Sequence, residues 1–456
     1  MSVQEQIDTM IERSRAALKV LATYDQEKID ALCKACCMSY REHAIEMSKE
    51  VIEETRLGNY DHKIMKNMGT PDGLWLEIKG KKSVGIIEDD PKTGLMKVAH
   101  PKGLVVVVAP TTNPNMTALV NSVLSIKGRN TVIICSHPRA KKTTVNTVKI
   151  MSDAMEALGA PKYIIQAIEE PSVELTQKMM SLADIIIATG GMAMVKAAYS
   201  SGKPAYGVGS GNVQSIVDRD FDLKAAIGMI VMGRSFDNGQ VCACNQSAIV
   251  PEEKLPEVIQ LLKENGAAYF DDPADIDKIR QTVFKNGVHN SAVVGQFPKT
   301  IADLAGVKVD EKASIIAVLG DPNKVGANEL LCGEKMCPVL IVIPYKTYDQ
   351  ALEIAKANLL YSGAGHSCCV YSNTQENINK VGLTMPVCRV LVNQPGMGAA
   401  NAFGNNALCS TSTLGCGTYG NNSLDENLNY RHMINVTQVA KVNPSFVPVP
   451  EDQVYK

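Results

Sequence analysis

No uninterrupted apolar run approaches the roughly 18 residues of a membrane span anywhere in this 456-residue chain, so a bilayer segment is excluded at the outset. The first residues, Ser2 to Gln6, are polar and lack the apolar core of a secretion signal. Charge of either sign is in no excess: 46 Lys+Arg against 48 Asp+Glu leave a net charge of -2, which offers no general attraction for nucleic acid or anionic lipid. The 13 cysteines are odd in number and lack metal-ligand spacing. Cys33, Cys36 and Cys37, the Cys242/Cys244 pair and the Cys368/Cys369 pair are too close or too scattered, so no metal is expected. Reduced thiols in a cytoplasm are the simpler reading. Aromatics are only 5% of the chain, while 45% hydrophobic and 21% charged residues describe an ordinary soluble protein. Internal repeats and low-complexity segments are absent as well.

What is present is length enough for two domains and a clear alternation of elements. Ile7, Met10, Ile11, Leu18 and Leu21 form a helical stripe, read as a packed face with an address peptide for a protein compartment as the alternative. Helical periodicity continues to about residue 55, and a hairpin is expected near 83–87 and 96–98, turned by Asp89, Asp90 and Pro91. Continuously apolar strands at 104–109, 131–135, 164–168 and 185–188 alternate with helices at 116–126, 143–158 and 172–182. Such strands suit a parallel sheet buried on both faces, the doubly wound pattern that binds nucleotides. After a helix near 223–232, strands near 248–250, 314–319, 339–343, 368–371 and 390–392 repeat the alternation. The expected division is therefore a nucleotide-binding domain at 1–234, a second domain at 235–425 and a carboxyl-terminal strand and tail at 426–456. That tail and the hairpin at 83–99 are assigned to oligomerisation, in a homodimer or homotetramer.

Chemistry concentrates in Phe236-Asp237-Asn238-Gly239-Gln240-Val241-Cys242, which sets a thiol after a turn and before an apolar strand. A thiolate there would attack a carbonyl carbon, and the oxyanion so formed needs fixed hydrogen-bond donors. Asn113, at the carboxyl end of the 104–109 strand, offers an amide for that purpose. Thr189, Gly190 and Gly191 close another strand and open a helix, where a pyrophosphate would be welcome. Each has a plainer alternative: a small buried residue for Cys242, a turn residue before Pro114 for Asn113, and an ordinary strand-to-helix turn for the glycines.

Taken in order, Asn113-Pro114, Thr189-Gly190-Gly191, the cysteine segment, Glu334-Lys335-Met336-Cys337-Pro338 and Gly365-His366 resemble the aldehyde dehydrogenase superfamily, and within it the coenzyme A-acylating branch. The resemblance spans nearly the whole chain. It implies two doubly wound α/β domains with a small oligomerisation element, Cys242 as nucleophile and Asn113 as oxyanion donor. It also implies a cofactor site made of Thr111, Thr112, Ser136, His137, Pro138, Arg139, Thr189, Gly190, Gly191 and Gly209, with Glu334 on the nicotinamide ribose. Glu334 read alone is a solvated loop carboxylate.

One departure bears on the reaction. Hydrolytic members carry a glutamate base in a Glu-Leu-Gly-Gly motif, whereas residues 207–212 here contain no carboxylate. Water should then release the acyl group slowly, and the resemblance implies coenzyme A as acceptor, with His366 taking its thiol proton; a structural histidine is the alternative. Lys141 and Lys142 near Ser136 and Arg139, with no acidic residue among them, favour NADP over NAD. Arg234, eight residues before Cys242, would suit an anionic aldehyde, or else an ion pair at a helix end. Ala243 and Asn245 replace the Ser and Glu of the succinate-type pattern. Sulfoacetaldehyde and succinate semialdehyde are the expected substrates, with acetaldehyde as the uncharged rival.

Overall fold

The apolar strands that follow residue 103 are buried along their lengths, because each is covered on both faces by helices. The computed structural model describes residues 3–443 and 445–456. Its first sheet runs, in spatial order, Ile165–Ala167, Thr131–Cys135, Leu104–Val108, Ile185–Thr189 and Ala205–Val208, all parallel. The order grows outward in both directions from Leu104–Val108, which is the doubly wound topology. The crevice at the switch point opens at the carboxyl ends of these strands, where Thr111 to Asn113 and Thr189 to Gly191 follow.

A second parallel sheet of seven strands is ordered Ala267–Phe270, Ile315–Leu319, Val339–Tyr345, Ser247–Pro251, Gln214–Val217, Cys368–Tyr371 and Val390–Val392. Its centre corrects the expected boundary at 235. The strand Gln214–Val217 lies between Ser247–Pro251 and Cys368–Tyr371, and Leu223, Ile227 and Ile230 of the Leu223–Ser235 helix join the second core. The chain thus crosses between sheets at 209–213, about one strand and helix earlier than expected. The crossing strand is short and begins with Gln214 and Ser215, whose polar side chains are buried because they bond inside the domain. Gln214 Oε1 accepts from Ser247 Oγ and Asn358 Nδ2, both at 2.8 Å.

The expected hairpin pairs Gly85–Asp90 with Leu95–Pro101, and the carboxyl-terminal strand Ile434–Ala440 adds to the same small antiparallel sheet. Asp90 shapes the turn by accepting from Lys92 N at 2.9 Å and Thr93 Oγ1 at 2.8 Å. The helix Val3–Leu21 spends its apolar stripe on packing: Ile7, Met10 and Leu21 are buried, and Gln166 Nε2 donates to Met10 O at 2.9 Å. Among the described residues no helix is long and apolar enough to cross a membrane, and no group of three His, Cys, Asp or Glu is placed to hold a metal.

Candidate active site

The two sheets meet the site with opposite edges. The first contributes the loops leaving its strands, and the second contributes the loops entering its strands. Between them lies a cavity of about 340 Å³ lined by Thr111, Thr112, Asn113, His137, Arg139, Thr189, Gly190, Gly191, Gly209, Glu334 and Cys242, all expected from sequence. Ser136 and Pro138 flank His137 without lining the cavity: Ser136 is buried, and Pro138 opens a short turn, Pro138–Ala140.

Cys242 sits in a turn closed by the Cys244 N–H on Val241 O at 2.9 Å, so the segment does not alternate like a strand. Burial, then Glu334, Cys416 and Cys244, push its thiol up to about 12, with Arg389 acting against them. The resting cysteine is therefore a protonated thiol. The crossing between the sheets passes against it at Gly211. A Cβ on Gly211 would collide with the Cys242 carbonyl, and one on Gly207, still in the first sheet, with Val195 and Tyr199, so both positions lack room for a side chain.

Asn113 precedes the buried helix Pro114–Lys127, and its Oδ1 accepts from Lys66 Nζ. With that oxygen engaged, the amide has its NH2 left to donate. Glu334 is the one carboxylate on the cavity wall among the described residues. Its Oε1 accepts from Gly211 N at 3.0 Å, and burial, opposed by that N–H and by Arg234, raises its pKa to about 7.

Three expectations for the aldehyde pocket are corrected. Arg234 does not line the cavity; it is wholly buried, and its guanidinium donates to Asn245 O at 3.0 Å and to Gly239 O. It clamps the two ends of the cysteine loop, because the helix carrying it packs under that loop. Asn245 likewise faces inward, accepting from Gly396 N at 2.9 Å and donating to Ser215 Oγ at 2.8 Å. Ala243 is buried in the second core with Val213 and Leu414.

His366 is also off the cavity. Its Nδ1 lies 3.1 Å from Ser367 Oγ, its Nε2 has no partner, and burial followed by Arg389 lowers its pKa to about 3. The Gly-His turn is set by packing, since a Cβ on Gly365 would strike the Cys416 carbonyl. A histidine so placed is neutral and does not reach the cavity in this conformation.

The cavity carries unmet polar groups. Among the described residues, the buried hydroxyls of Thr189 and Ser412 on the cavity wall, and of Ser136 beside it, have no protein partner, and neither has either end of the Gln240 amide. These groups, with the open space beside Gly191 at the start of the Met192–Tyr199 helix, fit a dinucleotide and its pyrophosphate. The basic cluster is less free than it looked. Lys141 pairs with Glu170 at 2.6 Å, and Glu54 accepts from the N–H groups of Lys142 and Thr143, each at 2.8 Å. Among the described residues, Arg139 is the cation left on the cavity wall.

Sequence reasoning missed Lys63 and Lys66. Both are buried on the Tyr60–Ile78 helix, and both contact Asp237 Oδ2, at 2.8 and 2.7 Å. The signal was faint: two lysines three residues apart on a helix face look like solvated charges. Arg389 was missed for the same reason; it is buried and donates to His366 O at 2.8 Å and Gly415 O at 2.7 Å.

Residues 1–286 match the Aldehyde dehydrogenase family. The chain is 45% identical over 443 residues to the succinate-semialdehyde dehydrogenase (acetylating) of Clostridium kluyveri, covering 97% of each. It is 36% identical over 440 residues to the sulfoacetaldehyde dehydrogenase (acylating) of Bilophila wadsworthia, covering 95% of this chain and 94% of that one. It spans only 53% of the aldehyde-alcohol dehydrogenase of Clostridium acetobutylicum, at 36% identity. Among solved structures, an acetylating aldehyde dehydrogenase from Geobacillus thermoglucosidasius superposes with a TM-score of 0.93 at 32% identity, covering 98% of both chains.

Proposed function

Because this chain belongs to the aldehyde dehydrogenase family, we propose that its cavity interconverts an aldehyde and its acyl-coenzyme A by way of a thioester on Cys242. The observation that carries this reading is the pairing of Cys242 and Asn113 on one cavity wall with a carboxylate-free crossing at 207–212, where Gly211 leaves no room for a side chain.

As the Cys242 sulfur bonds to the aldehyde carbon, the thiol proton passes to solvent in the cavity and the carbonyl oxygen takes negative charge. The Asn113 NH2 and the Cys242 backbone N–H receive that charge. NAD(P)+, when bound, supplies the acceptor for the hydride that leaves the same carbon. Thr189 and the glycines after it hold the pyrophosphate, Thr111 and Thr112 border the cofactor's path, and ionised Glu334 accepts from the nicotinamide ribose. The coenzyme A thiolate then attacks the thioester carbon, and the Cys242 thiolate leaves as the acyl-coenzyme A forms. The acceptor's own thiol proton passes to solvent, since the His366 imidazole lies off the cavity in this conformation.

Ser136 and Arg139 are the groups left to read the adenosine ribose, and with them NADP is the preferred cofactor over NAD. For substrate, the names of the two relatives support succinate semialdehyde or sulfoacetaldehyde. The burial of Arg234 supports the uncharged rival, acetaldehyde. A cytoplasmic location agrees with 13 unpaired cysteines, and the small sheet, with Ile86 and Val436 exposed, supports a homo-oligomer.

The test is reduction of acetyl, succinyl and sulfoacetyl thioesters with NADH and NADPH. Turnover that requires coenzyme A in the oxidative direction supports the reading. Equal aldehyde oxidation with and without it returns the site to hydrolysis.

A further inference from the structure

Lys63, Lys66 and Asp237 form a buried cluster that the reaction as described does not use. The helix Tyr60–Ile78 brings both ammonium groups onto one oxygen, Asp237 Oδ2, at 2.8 Å from Lys63 and 2.7 Å from Lys66. Each lysine then reaches the loop after Leu104–Val108. Lys63 Nζ donates to Thr112 O at 3.0 Å, and Lys66 Nζ donates to Asn113 Oδ1. Asp237 lies five residues before Cys242 and is itself fixed from several sides. Its Oδ1 accepts from Asn59 N at 3.1 Å, its N–H donates to His62 Nδ1 at 2.9 Å, and its backbone sits at φ 51° in the left-handed region. The oxyanion arm from one sheet and the nucleophile loop of the other are thus tied through Lys66.

The amines outnumber the carboxylate. Two lysine amines share one carboxylate, and all three groups are buried. Burial works to raise the Asp237 pKa, but the two lysines outweigh it and hold the carboxyl well below its usual range. Burial lowers Lys63 to about 7 against the pull of Asp237. One lysine suffices to neutralise the carboxylate, and Lys63, lowered to about 7, can give up its proton to meet that balance, so the second amine is kept beyond what pairing the charge requires. Packing alone gives no reason to keep it.

We propose that Lys66 is a positioning residue for the oxyanion donor. Its bond to Oδ1 fixes which way the Asn113 amide points, leaving NH2 toward the cavity, and a cation on the amide oxygen polarises the N–H bonds into stronger donors. Lys63 meanwhile keeps Asp237 partnered, so Lys66 is free to act through Asn113 on the oxygen that becomes negative. This rests on the reading of Cys242 and Asn113 given above.

The experiment compares full-length Lys66→Met, Asn113→Ala and the double variant by the pre-steady-state burst of NAD(P)H from aldehyde, with the rate of Cys242 alkylation by iodoacetamide read alongside. Because Lys63 still pairs Asp237, Lys66→Met leaves no lone buried charge. The expected result is a burst slowed about tenfold to a hundredfold, below the cost of losing an oxyanion donor outright. KM for the cofactor should move less than about twofold, alkylation should be unchanged, and the double variant should be no slower than Asn113→Ala alone. A burst within about twofold of the parent, or effects that multiply in full in the double variant, overturns the proposal. If Lys66→Met does not fold, Lys66→Gln carries the same comparison. If Asn113→Ala and Cys242→Ser both leave the burst intact, the reading of the site itself has failed.

Discussion

The two sheets supply the cavity in unlike ways. Residues from the first sheet stand where strands end: Asn113, Thr189 and Gly209 each follow a short apolar strand and lie on the wall. Residues from the second stand on loops that lead into strands, and there the polar side chains divide. Cys242 and Glu334 face the cavity, while Arg234 and Asn245 turn away to hold the loop. The strand ends are braced by sheet hydrogen bonds, on both sides for Leu104–Val108 and Ile185–Thr189 and on one side for Ala205–Val208. The entering loops have no such support and need buried polar clamps, which look like binding residues in a sequence.

The sharpest break in this comparison is Cys242→Ser. Loss of the soft nucleophile should reduce coenzyme A-dependent NAD(P)H formation by at least about a thousandfold while leaving cofactor binding intact, measured by turnover and by fluorescence titration. Next comes Arg234→Met, which removes two charge-assisted bonds from the loop at about 1.5–3 kcal/mol each, offset in part by removal of a buried charge. Melting temperature and kcat should fall together. The ratio of kcat/KM for succinyl and acetyl thioesters should change by less than about threefold, because a clamp does not read the substrate; a larger change would return Arg234 to the pocket.

Glu334 gives a pH test. Its carboxyl, with a pKa near about 7, is ionised above that pH and protonated below it. An ionised acceptor for the ribose is lost on acidification, so KM for NAD(P)+ should rise by up to about tenfold between pH 8 and 6. Glu334→Gln should flatten that dependence. The smallest effect is expected from Arg139→Gln. Arg139 is exposed, so the NADP-to-NAD preference should fall only about threefold, read from the two kcat/KM values.

The sequence pattern was most legible where one physical cause acted alone. Valine- and isoleucine-rich strands such as Leu104–Val108 announce burial on both faces, and the turns after them announce a ligand edge. The strand Gln214–Val217 was not legible, because polar residues bonded inside a domain cannot be told from surface residues in one dimension. The same limit hid Lys63, Lys66 and Arg389, whose partners come from loops far along the chain. It also misled at Arg234, where spacing from the cysteine suggested a pocket and burial made a brace. The basic cluster after the Thr131–Cys135 strand failed similarly: Glu170 arrives from elsewhere to pair with Lys141.

The passage at 209–213 links the two sheets by running over Cys242, with Gly211 against its carbonyl and against Glu334. Grafting a glutamate onto Gly211 to convert acyl transfer into hydrolysis would drive its Cβ into the Cys242 carbonyl and displace the nucleophile itself, so a change of acceptor has to be engineered from another wall of the cavity.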